Sequence, residues 1–178
     1  MRSKYKFTDK DGVYFITATV IEWLPVFTNE AYCQILTDSL KFCQQKKQLR
    51  IYAYVILENH IHLVCEAPRL SQTISDFKKF TARKVIDTLK KDQKDWLLNQ
   101  LAYYKKRHKV HSTYQFWQEG VHPQLIVSDQ MLNQKIAYIH NNPVKRGLIE
   151  KAEHWRFSSA RNYLLDDHSI IKINNLRF

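Results

Sequence analysis

Glycine and proline are scarce in this chain, and their scarcity excludes several kinds of protein. There are three glycines and four prolines in 178 residues. This leaves no flexible linker between domains and no glycine-rich loop of the kind that cradles nucleotide phosphates. The length fits one domain with a sizeable hydrophobic core. We therefore expect one folded unit over residues 1–150, with a C-terminal extension over residues 151–178 that packs on or beside it.

Cysteine is also scarce, and long apolar runs are missing. Cys33, Cys43 and Cys65 are odd in number and show no Cys-x-x-Cys spacing, which excludes the usual zinc and redox motifs. We expect all three to be reduced core residues. The N-terminus leads into polar residues, and no apolar run approaches the length needed to span a membrane. The expectation is a cytoplasmic protein without a membrane partner.

Acidic residues are outnumbered by basic ones. Lys and Arg total 28 against 17 Asp and Glu, which gives a formal net charge of +11. A polyanionic partner is expected, and charge alone supports nucleic acid and an anionic membrane surface equally, because both act through the same long-range field. Aromatic residues, 13% of the chain, are interleaved with the basic ones and favour nucleic acid.

The hydrophobic periodicity predicts the element order β-α-β-β-α-(α)-β-α. The first half of the chain is predicted to form a strand over residues 13–20, a helix capped by Thr28 or Asn29 that ends near Lys47, and a hairpin over 50–67. The second half is predicted to form a helix capped by Ser71, a helical then basic stretch over 92–111 and a short strand over 123–127. The last predicted helix begins at Ser128 and is stopped by Pro143. This order favours an α+β, ferredoxin-like (split β-α-β) sandwich, with a four-stranded antiparallel sheet and helices on one face.

The predicted hairpin carries a pair of histidines. Its polar turn lies at Glu58-Asn59, and strand alternation places His60 and His62 on one face with apolar residues on the other. Two readings remain open on this pattern alone. The imidazoles are either hydrogen-bonded structural side chains or metal ligands.

A tyrosine and an asparagine share one side of the last predicted helix. Leu132, Ile136 and Ile139 form its apolar stripe, whereas Tyr138 and Asn142 lie away from that stripe, one turn apart. A single exposed tyrosine needs no function. An amide oxygen beside two imidazoles can, however, complete a site for a divalent cation. A phenol becomes a useful nucleophile when its electrophile is polarised, and a metal on a scissile phosphate would do so.

Four sequence blocks together carry a family resemblance. They are residues 59–64 (Asn-His-Ile-His-Leu-Val), 116–118 (Phe-Trp-Gln), 138–149 (Tyr-Ile-His-Asn-Asn-Pro-Val-Lys-Arg-Gly-Leu-Ile) and 155–160 (Trp-Arg-Phe-Ser-Ser-Ala). In this order they resemble the REP-associated tyrosine transposases, which belong to the single-tyrosine His-hydrophobic-His transposases. The resemblance covers about residues 13–163. One departure is Leu57-Glu58, where the family pattern has Met-Pro before the Asn-His pair.

The resemblance implies an enzyme that cleaves and rejoins single-stranded DNA next to hairpins. It implies a ferredoxin-like catalytic domain, in which Tyr138 attacks a DNA phosphate, forms a 5′-phosphotyrosine and frees a 3′-OH. It also implies that His60 and His62 hold Mg²⁺ or Mn²⁺, with Asn142 as the third ligand. The expected partner is single-stranded or hairpin DNA, and the protein acts as a monomer or a homodimer.

Several further side chains are candidates for contact with DNA: Lys145, Arg146, Lys135, Trp117, Lys78 and Arg83. For most of them a structural alternative stays open. The cations that follow the last helix complement its dipole, exposed lysines on a helix are ordinary, and a tryptophan beside a strand is often buried. His140 is expected to be a hydrogen-bonded structural histidine rather than a catalytic base.

Two rival functions use the same residues. One is a non-cleaving protein that binds structured single strands, and the other is a metal phosphodiesterase that hydrolyses DNA without a protein-linked product. The tyrosine nuclease hypothesis requires that Tyr138 lies close enough to His60 and His62 to share a phosphate with them. If these groups are too far apart, a basic nucleic-acid-binding protein remains.

Overall fold

The computed structural model describes residues 7–175, and its centre is a four-stranded antiparallel sheet in the order β2-β3-β1-β4. The strands are β1 (Tyr14–Thr19), β2 (Arg50–Leu57), β3 (His60–Glu66) and β4 (Gln124–Leu125). Every neighbouring pair is antiparallel. This order is that of the split β-α-β sandwich, so the predicted α+β, ferredoxin-like class is confirmed.

Five α-helices accompany the sheet in the described part of the chain. They are α1 (Glu30–Lys47), α2 (Leu70–Lys91), α3 (Asp95–Tyr103), α4 (Asp129–Lys145) and α5 (Ala160–Leu165), and single 3₁₀ turns form at Ile21–Trp23 and Ala152–His154. The predicted element order is therefore confirmed, and α5 follows it. Among residues 7–175 no helix has the length and apolar character to cross a membrane.

Side-chain caps begin two of the helices where the sequence predicts them. The Asn29 side chain accepts a hydrogen bond from the Tyr32 amide at the start of α1, and the Ser128 side chain accepts one from the Met131 amide at the start of α4. The start of α2 differs from the prediction. This helix begins at Leu70, because the Arg69 carbonyl already accepts the Thr73 amide.

The end of α4 also differs from the prediction, because the helix runs through Pro143 to Lys145. A proline lacks one amide hydrogen, so a single backbone bond is lost. The remaining bonds of the last turn form: the Arg146 amide donates to the Asn142 carbonyl (3.1 Å) and the Leu148 amide to the Pro143 carbonyl (3.0 Å). The continuation carries residues 142–145 onward along the same helix.

The helices cover both faces of the sheet, so the expectation of helices on one face is wrong. The larger core lies on the α1 and α2 side and includes Ile16, Ile61 and Leu63. Alternate strand residues form a second apolar cluster on the opposite face, where α4 packs its stripe of Leu132, Ile136 and Ile139. Both faces of the sheet are apolar, and each must be covered against water.

The C-terminal extension pairs with the free edge of β2. The Ile56 amide donates to the Phe157 carbonyl (2.9 Å), and the Ser159 amide donates to the Tyr54 carbonyl (2.9 Å). The Trp155 indole N–H donates to the Ile56 carbonyl (2.8 Å). These bonds protect an edge strand that would otherwise present unpaired backbone groups. The division at residue 150 stays a prediction.

Candidate active site

The two histidines lie side by side on the face of the sheet that α4 covers. His60 and His62 alternate with apolar residues of β3, and their ring centroids are 4.7 Å apart. In the sheet register they lie opposite Thr19 and Thr17 of β1. Both are buried, with 6% and 5% of their surface exposed. The face is therefore apolar at one end and carries two imidazoles at the other.

Tyr138 of α4 lies beside these histidines in the same chain. Its ring centroid is 5.3 Å from that of His62 and 5.9 Å from that of Phe15, both in edge-on arrangements. The residue is 42% exposed, so the phenol faces both the histidines and solvent. The predicted placement off the apolar stripe of the helix is confirmed, and no second subunit is needed to bring the groups together.

Hydrogen bonds orient the ring of His60. The Asn59 amide nitrogen donates to the Trp23 carbonyl (3.1 Å), which leaves the Asn59 amide oxygen as an acceptor. Nδ1 of His60 lies 2.5 Å from that oxygen and donates to it. In the neutral ring the other nitrogen, Nε2, then carries the lone pair. A donated Nδ1–H of this kind is the usual support of a metal-binding histidine.

His62 has one ring nitrogen bonded and one left over. Its Nδ1 lies 2.8 Å from the Thr17 hydroxyl. Its Nε2 is buried and has no hydrogen-bond partner within residues 7–175. A buried polar atom without a partner is unfavourable, which points to a group that binds there. A neutral imidazole nitrogen is a common metal ligand.

Both histidines are neutral at pH 7. Burial lowers the pKa of His60 to about 4, with a further contribution from the Arg146 charge. Burial, followed by the charges of His60 and Lys135, lowers the pKa of His62 to about 3. A metal ion binds the neutral form of histidine, so no proton has to leave either ring at neutral pH before a cation binds.

Asn142 lies between two contacts that join α4 to the hairpin. One turn before it, Tyr138 contacts His62, and one turn after it, the Arg146 guanidinium forms an ion pair with Glu58 at the hairpin turn. The helix therefore follows the hairpin from His62 towards its turn, with the buried Asn142 in between. No cluster of three His, Cys, Asp or Glu side chains suited to a metal occurs in the described chain. A third ligand from this chain would have to be of another type, such as this amide.

Glu58 stands where the family pattern has proline, and the structure shows what the substitution does. One carboxylate oxygen pairs with Arg146, and the other, Oε2, is buried without a hydrogen-bond partner among residues 7–175. This ion pair neutralises part of the charge of a predicted DNA-binding residue. Sequence reasoning missed Glu58, Asn59 and Thr17, although the strand register that places Thr17 opposite His62 follows from pairing β1 with β3.

Other predicted DNA-binding residues fall into two groups. Lys135 belongs to the site, because its Nζ lies 4.6 Å from the centre of the Phe15 ring, next to His62. Lys145 is exposed at the end of α4. Arg83 is exposed on α2, on the opposite side of the sheet from the histidines. The structure thus brings Lys135 to Tyr138 and leaves Arg83 apart from it.

The DNA-stacking prediction for Trp117 is corrected. The residue is 6% exposed and packs in the larger core, and its indole N–H donates to the Thr81 hydroxyl (3.1 Å). Phe27 and Phe116 contact its ring, and the 6% of the residue that is exposed leaves too little surface for stacking on a base. The buried alternative left open by the sequence describes this residue.

The predicted exposure of Lys78 is corrected as well, whereas its contact with DNA stays a prediction. The sequence predicts a solvent-exposed lysine, but this side chain is half-buried. Its Nζ donates to the carbonyls of Gln118 (2.8 Å) and Gly120. Lys78 therefore ties α2 to the connection that precedes β4. Its first role is structural.

His140 agrees with the structural role expected for it. Its Nε2 lies 2.8 Å from the Ser159 hydroxyl, and burial lowers the pKa of the ring to about 4. The Ser159 hydroxyl also accepts the Tyr54 amide (2.9 Å). His140 therefore joins α4 to the C-terminal extension and to β2, and it does not face Tyr138.

Known proteins resemble this chain in sequence and in structure. A Haemophilus influenzae protein named "Putative REP-associated tyrosine transposase" is 24% identical over 150 residues, which cover 84% of this chain and 80% of that protein. The solved structure of a REP-associated tyrosine transposase bound to a REP hairpin superimposes with a TM-score of 0.67, covering 100% of this chain and 94% of that chain at 18% identity. The resemblance to REP-associated tyrosine transposases is confirmed. The structural likeness confirms their fold in this chain, whereas no protein-family model matches the sequence.

Proposed function

We propose that this protein is a REP-hairpin-related DNA transposase, which cleaves single-stranded DNA next to the hairpin with Tyr138 and rejoins the strands. The observation that carries this proposal is the half-exposed phenol of Tyr138, 5.3 Å from the ring of His62 in the same chain. The relatives add support, since one bears the name of a REP-associated tyrosine transposase and another was solved with a REP hairpin.

In the proposed cleavage step, the phenol oxygen of Tyr138 attacks a DNA phosphorus. A bond forms between the phenol oxygen and phosphorus, and the bond from phosphorus to the 3′ oxygen breaks. The phenol proton passes to solvent, and the leaving 3′ oxygen takes up a proton. The products are a 5′-phosphotyrosine and a free 3′-OH, and attack by another 3′-OH reverses the step. Because the phosphodiester is stored covalently, rejoining requires no ATP.

The residues present fit a divalent cation. The unpartnered Nε2 of His62 and the oriented ring of His60 would hold it, with the Asn142 amide as the third ligand. When bound there, Mg²⁺ or Mn²⁺ would polarise the scissile phosphate. Two imidazoles and one amide leave positions free for phosphate oxygens.

The remaining side chains position the phenol of Tyr138 and add positive charge near the expected position of the scissile phosphate. Phe15 and His62 present their rings to Tyr138 and hold the phenol at the polar end of the sheet face. Lys135 places a positive charge beside His62, where the scissile phosphate would lie. Lys145 extends the positive charge towards the end of α4.

A covalent-adduct assay tests the proposal. Protein is mixed with a hairpin oligonucleotide that carries a single-stranded extension and a 3′-end label, with Mg²⁺ or Mn²⁺. We expect a labelled protein band on a denaturing gel, which Tyr138→Phe abolishes. Tyr103→Phe is the matched control, because Tyr103 is 79% exposed on α3, and it should leave the band unchanged.

The other outcomes separate the rival functions. A complex that survives chelation and gives no cleavage identifies a non-cleaving DNA-binding protein. Cleavage without a protein-linked product identifies a hydrolytic phosphodiesterase. An undiminished adduct in Tyr138→Phe overturns the assignment of the nucleophile.

A further inference from the structure

A large cleft lies at the β4 edge of the sheet, away from the histidine pair. Its volume is about 850 Å³, and its walls are the first half of α2 and the connection over residues 109–123. This volume is within the range of about 300–1,000 Å³ that is usual for ligand sites. Apolar side chains, among them Ile74, Phe116 and Pro123, form part of its lining.

The mouth of the cleft is strongly basic. Lys78, Lys79 and Lys109 line it, and Glu119 is its one acidic residue among the described lining residues. The adjoining loop over residues 105–111 reads Lys-Lys-Arg-His-Lys-Val-His. We call the loop and these lysines the basic rim. Arg107 is among its exposed members.

Glu119, the one carboxylate among the described lining residues, already has hydrogen-bond partners. Glu119 accepts hydrogen bonds from Lys106 Nζ (2.9 Å) and His108 Nε2 (2.5 Å), which hold its pKa at about 2. Burial and the nearby Lys109 charge lower the pKa of Lys78 to about 8. Like charges are thus gathered around a concave surface with little compensation, which favours an anion there.

The cleft lies close enough to the candidate active site to serve the same DNA strand. The Gln118 amide on its wall donates to the Thr19 carbonyl of β1 (2.8 Å), and Thr19 lies opposite His60 in the sheet register. Two strand spacings, about 10 Å, therefore separate the backbone of Gln118 from that of His60. Because α2 lies on the opposite side of the sheet from the histidines, a strand bound at the candidate active site would pass around this edge to reach the cleft.

We infer that the cleft and its basic rim bind the unpaired DNA next to the scissile phosphate, with phosphates on the rim and a base in the cleft. This inference rests on the proposed function. A positively charged groove with apolar walls suits single strands, whose unpaired bases can enter it. The site lies apart from all the predicted DNA-binding residues except Lys78 and the buried Trp117.

Binding measurements with two charge-matched triple variants test the inference. Both are made in Tyr138→Phe protein, so that no strand is cut and binding is read independently of cleavage. The rim variant combines Lys79→Gln, Lys106→Gln and Arg107→Gln. The control combines Lys46→Gln, Lys91→Gln and Lys94→Gln, all exposed and outside the cleft. Thermal unfolding checks that both variants are folded.

The ligands are a labelled hairpin with a single-stranded extension and the same hairpin without it. We expect the rim variant to bind the extended hairpin about tenfold more weakly and to flatten its log–log salt dependence by about 2, because each single-strand phosphate contact contributes about 0.7. Its affinity for the blunt hairpin should stay that of the control variant.

Two alternative results of the binding measurements overturn the inference. Equal weakening by rim and control variants means that only net charge matters. Equal weakening of the extended and blunt hairpins means that the rim binds duplex. A missing covalent adduct with wild type would overturn the proposed function instead, while the rim-dependent binding of the extended strand would still be measurable.

Discussion

The two faces of the sheet differ in what they bury. The face under α1 and α2 is covered by a large apolar core that includes Ile16, Ile61 and Leu63. The face under α4 has a smaller apolar cluster that gives way to His60, His62 and Tyr138. One face therefore holds the larger apolar core, whereas the other accepts an unpartnered buried imidazole beside the exposed phenol of the proposed active site.

Removal of an imidazole should have the largest effect on the proposed DNA cleavage. We expect His62→Ala to lower the rate of covalent-adduct formation about a thousandfold or more, because a proposed metal ligand and a contact of Tyr138 are lost together. Its free energy of unfolding should fall by less than in an apolar core truncation, because removal of the unpartnered Nε2 partly offsets the cavity that the buried ring leaves. Single-turnover adduct kinetics and urea denaturation check the two halves. A large stability loss with normal adduct formation would make His62 a structural residue.

A cavity on the opposite face should have the reverse effect. Leu40→Ala in α1 removes a fully buried side chain and should lower the free energy of unfolding by about 3 kcal/mol. At a temperature where the variant stays folded, adduct formation should remain close to wild type. Urea denaturation measures the first effect and the gel assay the second. Lys46→Ala, an exposed residue of the same helix, is the control.

Acid should lower the free energy of unfolding through the buried His60. The pKa of His60 is about 4 in the folded protein and about 6.5 when unfolded, so only the unfolded state binds this proton between those values. Its contribution to stability is complete above pH 6.5 and is lost as the pH falls towards 4, by about 2 kcal/mol at pH 5. Urea denaturation in EDTA at pH 7 and pH 5 should show a smaller loss for His60→Gln than for wild type. Equal losses would contradict the lowered pKa.

Loss of the contact between Thr17 of β1 and His62 should have a smaller effect on adduct formation. Thr17→Val removes the hydroxyl beside Nδ1 and should slow adduct formation about tenfold, as expected when an outer partner of a metal-binding histidine is lost. Thr37→Val on the other face removes a hydroxyl that bonds within its own helix and should leave the rate unchanged. The same kinetic assay compares them, and equal rates for both variants would count against a role of Thr17 in orienting His62.

The smallest expected change is a gain. Glu58→Gln removes the partner of Arg146, so the affinity of Tyr138→Phe protein for the hairpin with a single-stranded extension should rise about threefold. Glu150→Gln is the charge-matched control, because Glu150 is exposed beyond α4. Fluorescence anisotropy at fixed salt measures both. No difference between the variants would show that the ion pair does not restrain Arg146.

Much of this arrangement was predictable because it depends on local patterns. Strand alternation placed His60 and His62 on one face, the cap at Asn29 began α1, and the helical stripe left Tyr138 off the packed side. Pro143 does not end the helix as its sequence predicts, because the other backbone bonds of the last turn form around its missing amide. Lys78 looked like a surface cation, and only its contact with residues 118–120 shows otherwise.

The sequence by itself determined the periodicities, and hence the element order, the paired imidazoles and the off-stripe tyrosine, because these follow from backbone geometry within a few residues. Only the tertiary structure decided that α4 crosses the second face, that Tyr138 contacts His62 within one chain, that Glu58 pairs with Arg146 and that Trp117 is buried. Such contacts join residues far apart in the chain, and their formation depends on how the two apolar faces of the sheet are covered.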